Sequence, residues 1–148
     1  MLLSAIRSKK FVWGFPVAIF SINTALIAFN PPESFWIITS PIFHFLGGAA
    51  MAMLFLNFWE SRPELYSFKT NFLIVLALSV SFSALVGVLW EHFEFLLDIF
   101  FGARGILPIA QTTLADTMAD LFLDLAGGAG IAVWYFIASN RSRINQSF

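Results

Sequence analysis

Residues 72–101 read FLIVLALSVSFSALVGVLWEHFEFLLDIFF, and this stretch decides the fold. An apolar run of that length exceeds the ~20 residues an α-helix needs to cross a bilayer. It is long enough to tilt or to project a turn beyond the hydrocarbon. No lysine or arginine lies in it, yet Glu91, Glu94 and Asp98 do. Three more runs of spanning length cover roughly residues 11–29, 35–59 and 114–138, and the last carries Asp116, Asp120 and Asp124. The reading is an all-α, polytopic membrane protein: a four-helix transmembrane bundle that forms a single domain over residues 1–148.

Composition points the same way. Hydrophobic residues make up 59% of the chain and charged residues only 11%, where a soluble domain carries about 25% charged residues. The chain has no cysteine, which excludes disulfides, thiolate metal sites and cysteine nucleophiles. Neither a serine nucleophile elbow nor a phosphate-binding glycine loop is present. The basic residues are few and scattered, so nucleic acid is not an expected partner; the lipid bilayer is. Arg7, Lys9 and Lys10 ahead of the first run look like the start of a signal peptide. That run is too long for a signal core, and no small-x-small pattern closes it before Asn30-Pro31-Pro32, so an uncleaved first span is expected.

Basic residues also orient the bundle. Arg7, Lys9, Lys10, Arg62, Lys69, Arg141 and Arg143 fall on one side, and Arg104 alone on the other. Both termini of this multi-pass chain are therefore expected in the cytoplasm. Pro16 and Pro41 sit early in the first two spans and could kink them. The 60–71 segment reads as a polar cytoplasmic loop. Residues 102–113 form the outer connection, apolar enough through Ile106, Leu107 and Ile109 to lie on the bilayer. Gly47-Gly48-Ala49-Ala50 and Gly127-Gly128-Ala129-Gly130 suit close helix packing.

The acids are the puzzle. Each acid at mid-membrane costs roughly 2.5–3.5 kcal/mol on an insertion scale, so six, heavily discounted, still cost on the order of 10 kcal/mol. With no basic side chain beside them, protons, water or a bound cation must compensate. Glu91, Glu94 and Asp98 follow an i, i+3, i+7 pattern and Asp116, Asp120 and Asp124 an i, i+4, i+8 pattern, each one helix face. At 1.5 Å per residue the ladders span about 10 and 12 Å. Laid antiparallel, they pair Asp98 with Asp116, Glu94 with Asp120 and Glu91 with Asp124. His44, on the second span, falls near the depth of Glu91 and Asp124. Asp98 and Asp116 suit the cavity mouth, with Arg104 and Gln111 above it. His92 is rotated about 100° from Glu91 and suits a hydrogen bond to a neighbouring helix instead.

Several carboxylates with an imidazole make a cation site for Mg²⁺, Ca²⁺, Mn²⁺ or Zn²⁺. Glu91, Glu94, Asp120, Asp124 and His44 are the expected ligands, with His44 and Glu91 the expected catalytic groups. Oxygen-activating di-iron bundles use Glu-x-x-His pairs, and Glu91-His92-Phe93-Glu94 has the wrong offset for one. A site that generates a metal-bound hydroxide and clamps a phosphate needs only carboxylates, a histidine and access. The leading expectation is metal-dependent hydrolysis or transfer on a lipid-linked substrate, with Arg104 and Gln111 meeting an anionic headgroup. The alternative is a proton or cation transporter using the same acids, although the inner halves of the spans offer only Asn57 and Glu60. An accessory subunit of a larger membrane complex, coated by the nineteen phenylalanines, ranks third.

Three segments carry a resemblance: residues 43–48 (FHFLGG), residues 87–95 (GVLWEHFEF) with Asp98, and residues 115–121 (ADTMADL) with Asp124 and the glycines after it. Together they resemble the YjdF-like group of small bacterial membrane proteins, and more distantly the VanZ-like family. VanZ-like proteins have a glutamine near the position of Glu94 and an asparagine at that of Asp124, so this chain is the more acidic. The resemblance implies a polytopic bacterial inner-membrane protein and supports the same site residues without naming a reaction.

Overall fold

The computed structural model describes residues 2–29, 32–62, 64 and 71–144, all of them helix or connection, with no strand among them. The helices are α1 (Leu2–Arg7), α2 (Lys9–Phe29), α3 (Glu33–Glu60), α4 (Phe72–Phe100) and α5 (Leu114–Ile144), with a 3₁₀ turn at Gly102–Arg104. Of these, α2 to α5 are long and apolar enough to cross a membrane. Pro31 of the first turn, and residues 63 and 65–70 of the 60–71 loop, Lys69 included, lie outside the described residues.

Local chemistry sets the boundaries. Asn71 caps α4, its side-chain oxygen accepting from the amides of Leu73 (3.0 Å) and Ile74 (3.3 Å), two of the donors a helix start leaves unpaired. Thr113 does the same for α5 by accepting from the Asp116 amide at 3.1 Å. Gly105, at φ 68°, ends the 3₁₀ turn in the left-handed region, which glycine enters without steric penalty. The helices run through Pro16 and Pro41 without interruption. Two features differ from the expectation. The last helix continues past residue 138 to Ile144, because adding residues to an existing helix is cheap even once the sequence turns polar. The residues ahead of the first span also form a helix of their own, α1, which ends at Arg7, while Lys9 and Lys10 open α2.

Packing is uneven, and the unevenness positions the site. α3, α4 and α5 pack on one another as a tight trio, whereas α2 leans along α3 with no comparable contact to α4 or α5. Small residues permit the tight approach: Gly48 lies against the Asp124 backbone, Gly127 against the Phe45 carbonyl and Gly128 against Ser83. On α4 the buried stripe is Val75, Ser79, Ser83, Gly87 and Glu91, one residue every four. Ser83 donates to the Gly48 carbonyl at 2.8 Å, an interhelical hydrogen bond of the kind that ties membrane helices together.

At the α1 end, Ile6, Met53, Leu56, Val75 and Tyr135 form a closed apolar core. Above it, Glu60 accepts from the Tyr135 hydroxyl and pairs with Arg7 at 3.5 Å, and Asn57 donates to the Ile6 carbonyl. Outward, the bundle is greasy: Trp13, Ile37, Leu73 and Phe122 are each more than 60% exposed. A surface this apolar is stable in lipid and aggregates in water.

Candidate metal centre

Three helices deliver four polar side chains to one point. His44 comes from α3, Glu91 from α4, and Asp120 and Asp124 from successive turns of α5; all four are 5–6% exposed. His44 stands at the centre. Its Nε2 lies 3.5 Å from Asp120 Oδ2 and 3.9 Å from Glu91 Oε1. Its Nδ1 faces Asp124 Oδ2 at 3.4 Å. The imidazole thus has one nitrogen toward a pair of carboxylates and the other toward a third.

The surroundings fix these groups. Gln111 reaches in from the α4–α5 connection and donates to Glu91 Oε2 at 2.8 Å and to the Glu91 backbone carbonyl at 2.9 Å. Glu91 Oε1, on the His44 side, is buried without a hydrogen-bond partner. A buried acceptor left bare costs about 1–3 kcal/mol, more when charged. Asp124 has room because Gly87 flanks its carboxylate: a Cβ at Gly87 would overlap it, whereas one at Gly47 would only touch it.

His44, Glu91 and Asp120 each offer one donor atom, and the three atoms lie within 4.8 Å of one another. Ligands bound at about 2.1 Å around a tetrahedral or octahedral ion sit roughly 3–3.5 Å apart. The His44–Asp120 separation of 3.5 Å matches that spacing; the other separations, up to 4.8 Å, are wider and would have to close around an ion. On the other side of the ring, Asp124 is placed to accept an Nδ1–H, the tautomer that would leave Nε2 free to coordinate.

The other residues expected at the site have separate places. Glu94, about 60° around α4 from Glu91, accepts from Trp90 Nε1 at 2.8 Å and faces a cavity between α2, α3 and α4. Asp98 accepts from the backbone amides of Ala110 (2.8 Å) and Gln111 (2.9 Å), clasping the connection that carries Gln111. Asp116 accepts from the Thr112 hydroxyl at 2.9 Å. Both Asp98 and Asp116 line the cavity, while Arg104 is exposed on the 3₁₀ turn. His92 is exposed, its Nδ1 3.3 Å from the Val88 carbonyl. The depth pairing also shifts by a turn: Glu91, and not Glu94, meets Asp120 around His44.

Trp90, Ser83 and Gly87 are participants that the charge pattern did not single out. For Ser83 and Gly87 the visible signal was the four-residue spacing of Ser79, Ser83, Gly87 and Glu91, because small and polar residues on one face of an apolar helix mark its packing seam; Trp90, off that face, gave none. The Asp98 clasp gives a direct expectation. Asp98→Ala strands two backbone donors and should cost about 1–3 kcal/mol, with faster amide exchange at Ala110 and Gln111. Unchanged exchange there would mean the clasp does not hold the connection.

Comparison with known proteins gives one match. The sequence model of a family described as "Predicted membrane protein (DUF2238)" matches residues 11–141. No curated protein and no solved structure matches the chain.

Proposed function

We propose that this chain, which belongs to the DUF2238 family of predicted membrane proteins, holds a divalent metal ion inside the membrane through His44 Nε2, Glu91 and Asp120. The observation that carries this reading is Glu91 Oε1, buried, without a hydrogen-bond partner and 3.9 Å from His44 Nε2. A divalent ion there satisfies that oxygen and offsets carboxylate charge that no lysine or arginine in the apolar runs offsets. The donor set of one imidazole and two carboxylates favours Zn²⁺ or Mn²⁺. Ca²⁺ takes six to eight oxygens and Mg²⁺ a near-ideal octahedron, so both fit less well. Asp124 is a positioning residue that orients the imidazole.

Three protein donors leave a coordination position open, the arrangement of catalytic rather than structural sites. Such an ion supplies Lewis acidity and a hydroxide at neutral pH, which suits hydrolysis or transfer on a lipid-linked substrate. The carrier reading is less well supported, because between Glu91 and the apolar core around Leu56 and Tyr135 the buried stripe of α4 offers only the hydroxyls of Ser83 and Ser79 and no titratable group. On the same footing we place the chain beside the YjdF-like and VanZ-like groups. The distribution of basic residues supports cytoplasmic termini, and with them a site in the outer half of a bacterial inner membrane.

Titration calorimetry on metal-stripped protein tests the site. Wild type should bind one Zn²⁺ or Mn²⁺ per chain. Asp124→Asn, which keeps the shape but loses the anionic acceptor for Nδ1–H, should bind about 10–100-fold more weakly. No binding by wild type, or equal binding by the variant, contradicts the assignment.

A further inference from the structure

Beside the metal centre lies a second feature that the metal does not explain. A cavity of about 910 Å³ fills the space between α2, α3, α4 and the α4–α5 connection. That is near the upper end of small-molecule sites, roughly 300–1,000 Å³. It exists because α2 packs along α3 and approaches α4 through the Phe20 ring, set edge-on to Trp90. Its walls are apolar and aromatic, with Val17 and Phe20 from α2, Ile37 from α3 and Trp90 from α4.

One wall of the cavity is different. Glu94, Asp98, Asp116 and Asp124 line it together with His44, and no lysine or arginine is among its lining residues. Glu91 and Asp120, which the metal would neutralise, do not line it. An anionic head would therefore meet several carboxylates, whereas a cation finds pairing partners. Aromatic rings stand beside the acid. The indole N–H of Trp90 donates to Glu94, and the Trp90 ring lies 5.7 Å from Phe20 and 5.5 Å from Phe93, centroid to centroid. A carboxylate set among aromatic faces is the environment that binds organic ammonium groups.

We infer that this cavity binds a membrane amphiphile whose hydrocarbon chain lies along α2 and whose head, a protonated or quaternary amine, sits against Glu94 and Trp90. The inference replaces the anionic headgroup expected from the sequence and stands whether or not the metal centre is filled.

The test uses the full-length protein in dodecyl maltoside, with hexadecyltrimethylammonium and hexadecyl phosphate as probes and tryptophan fluorescence as the readout. The ammonium probe should bind at least about tenfold more tightly than the phosphate, and Glu94→Gln should remove most of that preference. Val17→Trp, at a lipid-exposed position on the rim, should weaken both probes by filling the chain's path. Phosphate binding as tight as ammonium, or a preference untouched by Glu94→Gln, overturns the inference. Metal content measured on the same samples keeps the two sites separate, since the cavity variants should retain wild-type metal binding. Lipid extracted from the purified protein then assigns the source. Enrichment in amine-headed phospholipid points to a bilayer lipid, and ammonium preference without enrichment points to a freely exchanging cationic amphiphile; either sustains ammonium recognition.

Discussion

His44→Ala should lower divalent-metal affinity by at least about 100-fold, beyond the 10–100-fold typical of losing an outer-shell partner. The imidazole is the one donor in the group that is not a carboxylate, and it stands between Glu91, Asp120 and Asp124. Without it the ion keeps two carboxylates from two helices and loses the group that joins them to α3. The effect should also appear as stability. An ion at 100 times its dissociation constant stabilises the folded state by about 2.7 kcal/mol, so added Zn²⁺ or Mn²⁺ should raise the melting temperature of wild type and leave that of His44→Ala in place. An equal rise in both proteins would show that the ion binds elsewhere.

The second large effect is expected at Gly48. A Cβ there would overlap the Asp124 backbone, and backbone cannot swing aside as a flexible side chain does. Gly48→Ala must therefore push α3 and α5 apart, with an overpacking cost of about 1–3 kcal/mol. The same displacement pulls Asp124 from His44 and should reduce metal affinity alongside stability. Gly14→Ala is the control: nothing lies within 4 Å of a Cβ at Gly14, so that change should be neutral or slightly stabilising. Thermal denaturation in detergent measures both. If Gly48→Ala melts with wild type, the glycine contacts do not hold the helices at this spacing.

The membrane fold was legible because apolar length is a direct physical requirement of crossing a bilayer, and residues 72–101 satisfy it without ambiguity. The depth of the acids was legible to within a turn for a related reason: rise per residue is constant along a helix, so Glu91, Asp124 and His44 could be placed at similar heights from sequence, with Asp120 set one turn further out, level with Glu94. Rotation and register were not. Glu91 and Glu94 differ by about 60° around α4, enough to put one in the buried cluster and the other in the cavity. Which one faces α5 depends on how the glycines let α3, α4 and α5 nest. Asp98 was opaque for another reason. Its partners are backbone amides of Ala110 and Gln111, and backbone donors leave no residue-type signature. Gln111 was read as facing a headgroup, yet it turns inward because the clasp on its own amide aims its side chain at Glu91. α1 was hidden ahead of the first span, in residues that read equally well as an unstructured start.

X-ray absorption spectroscopy on full-length protein, purified without chelator and supplied with Zn²⁺, is the most direct measurement of the metal centre. The expected spectrum is that of one ion with a single imidazole and oxygen ligands at about 2.0–2.1 Å, losing the imidazole signature in His44→Ala. A wild-type spectrum of fully hydrated Zn²⁺, or one with the same ligands in His44→Ala, would contradict the site built from His44, Glu91 and Asp120.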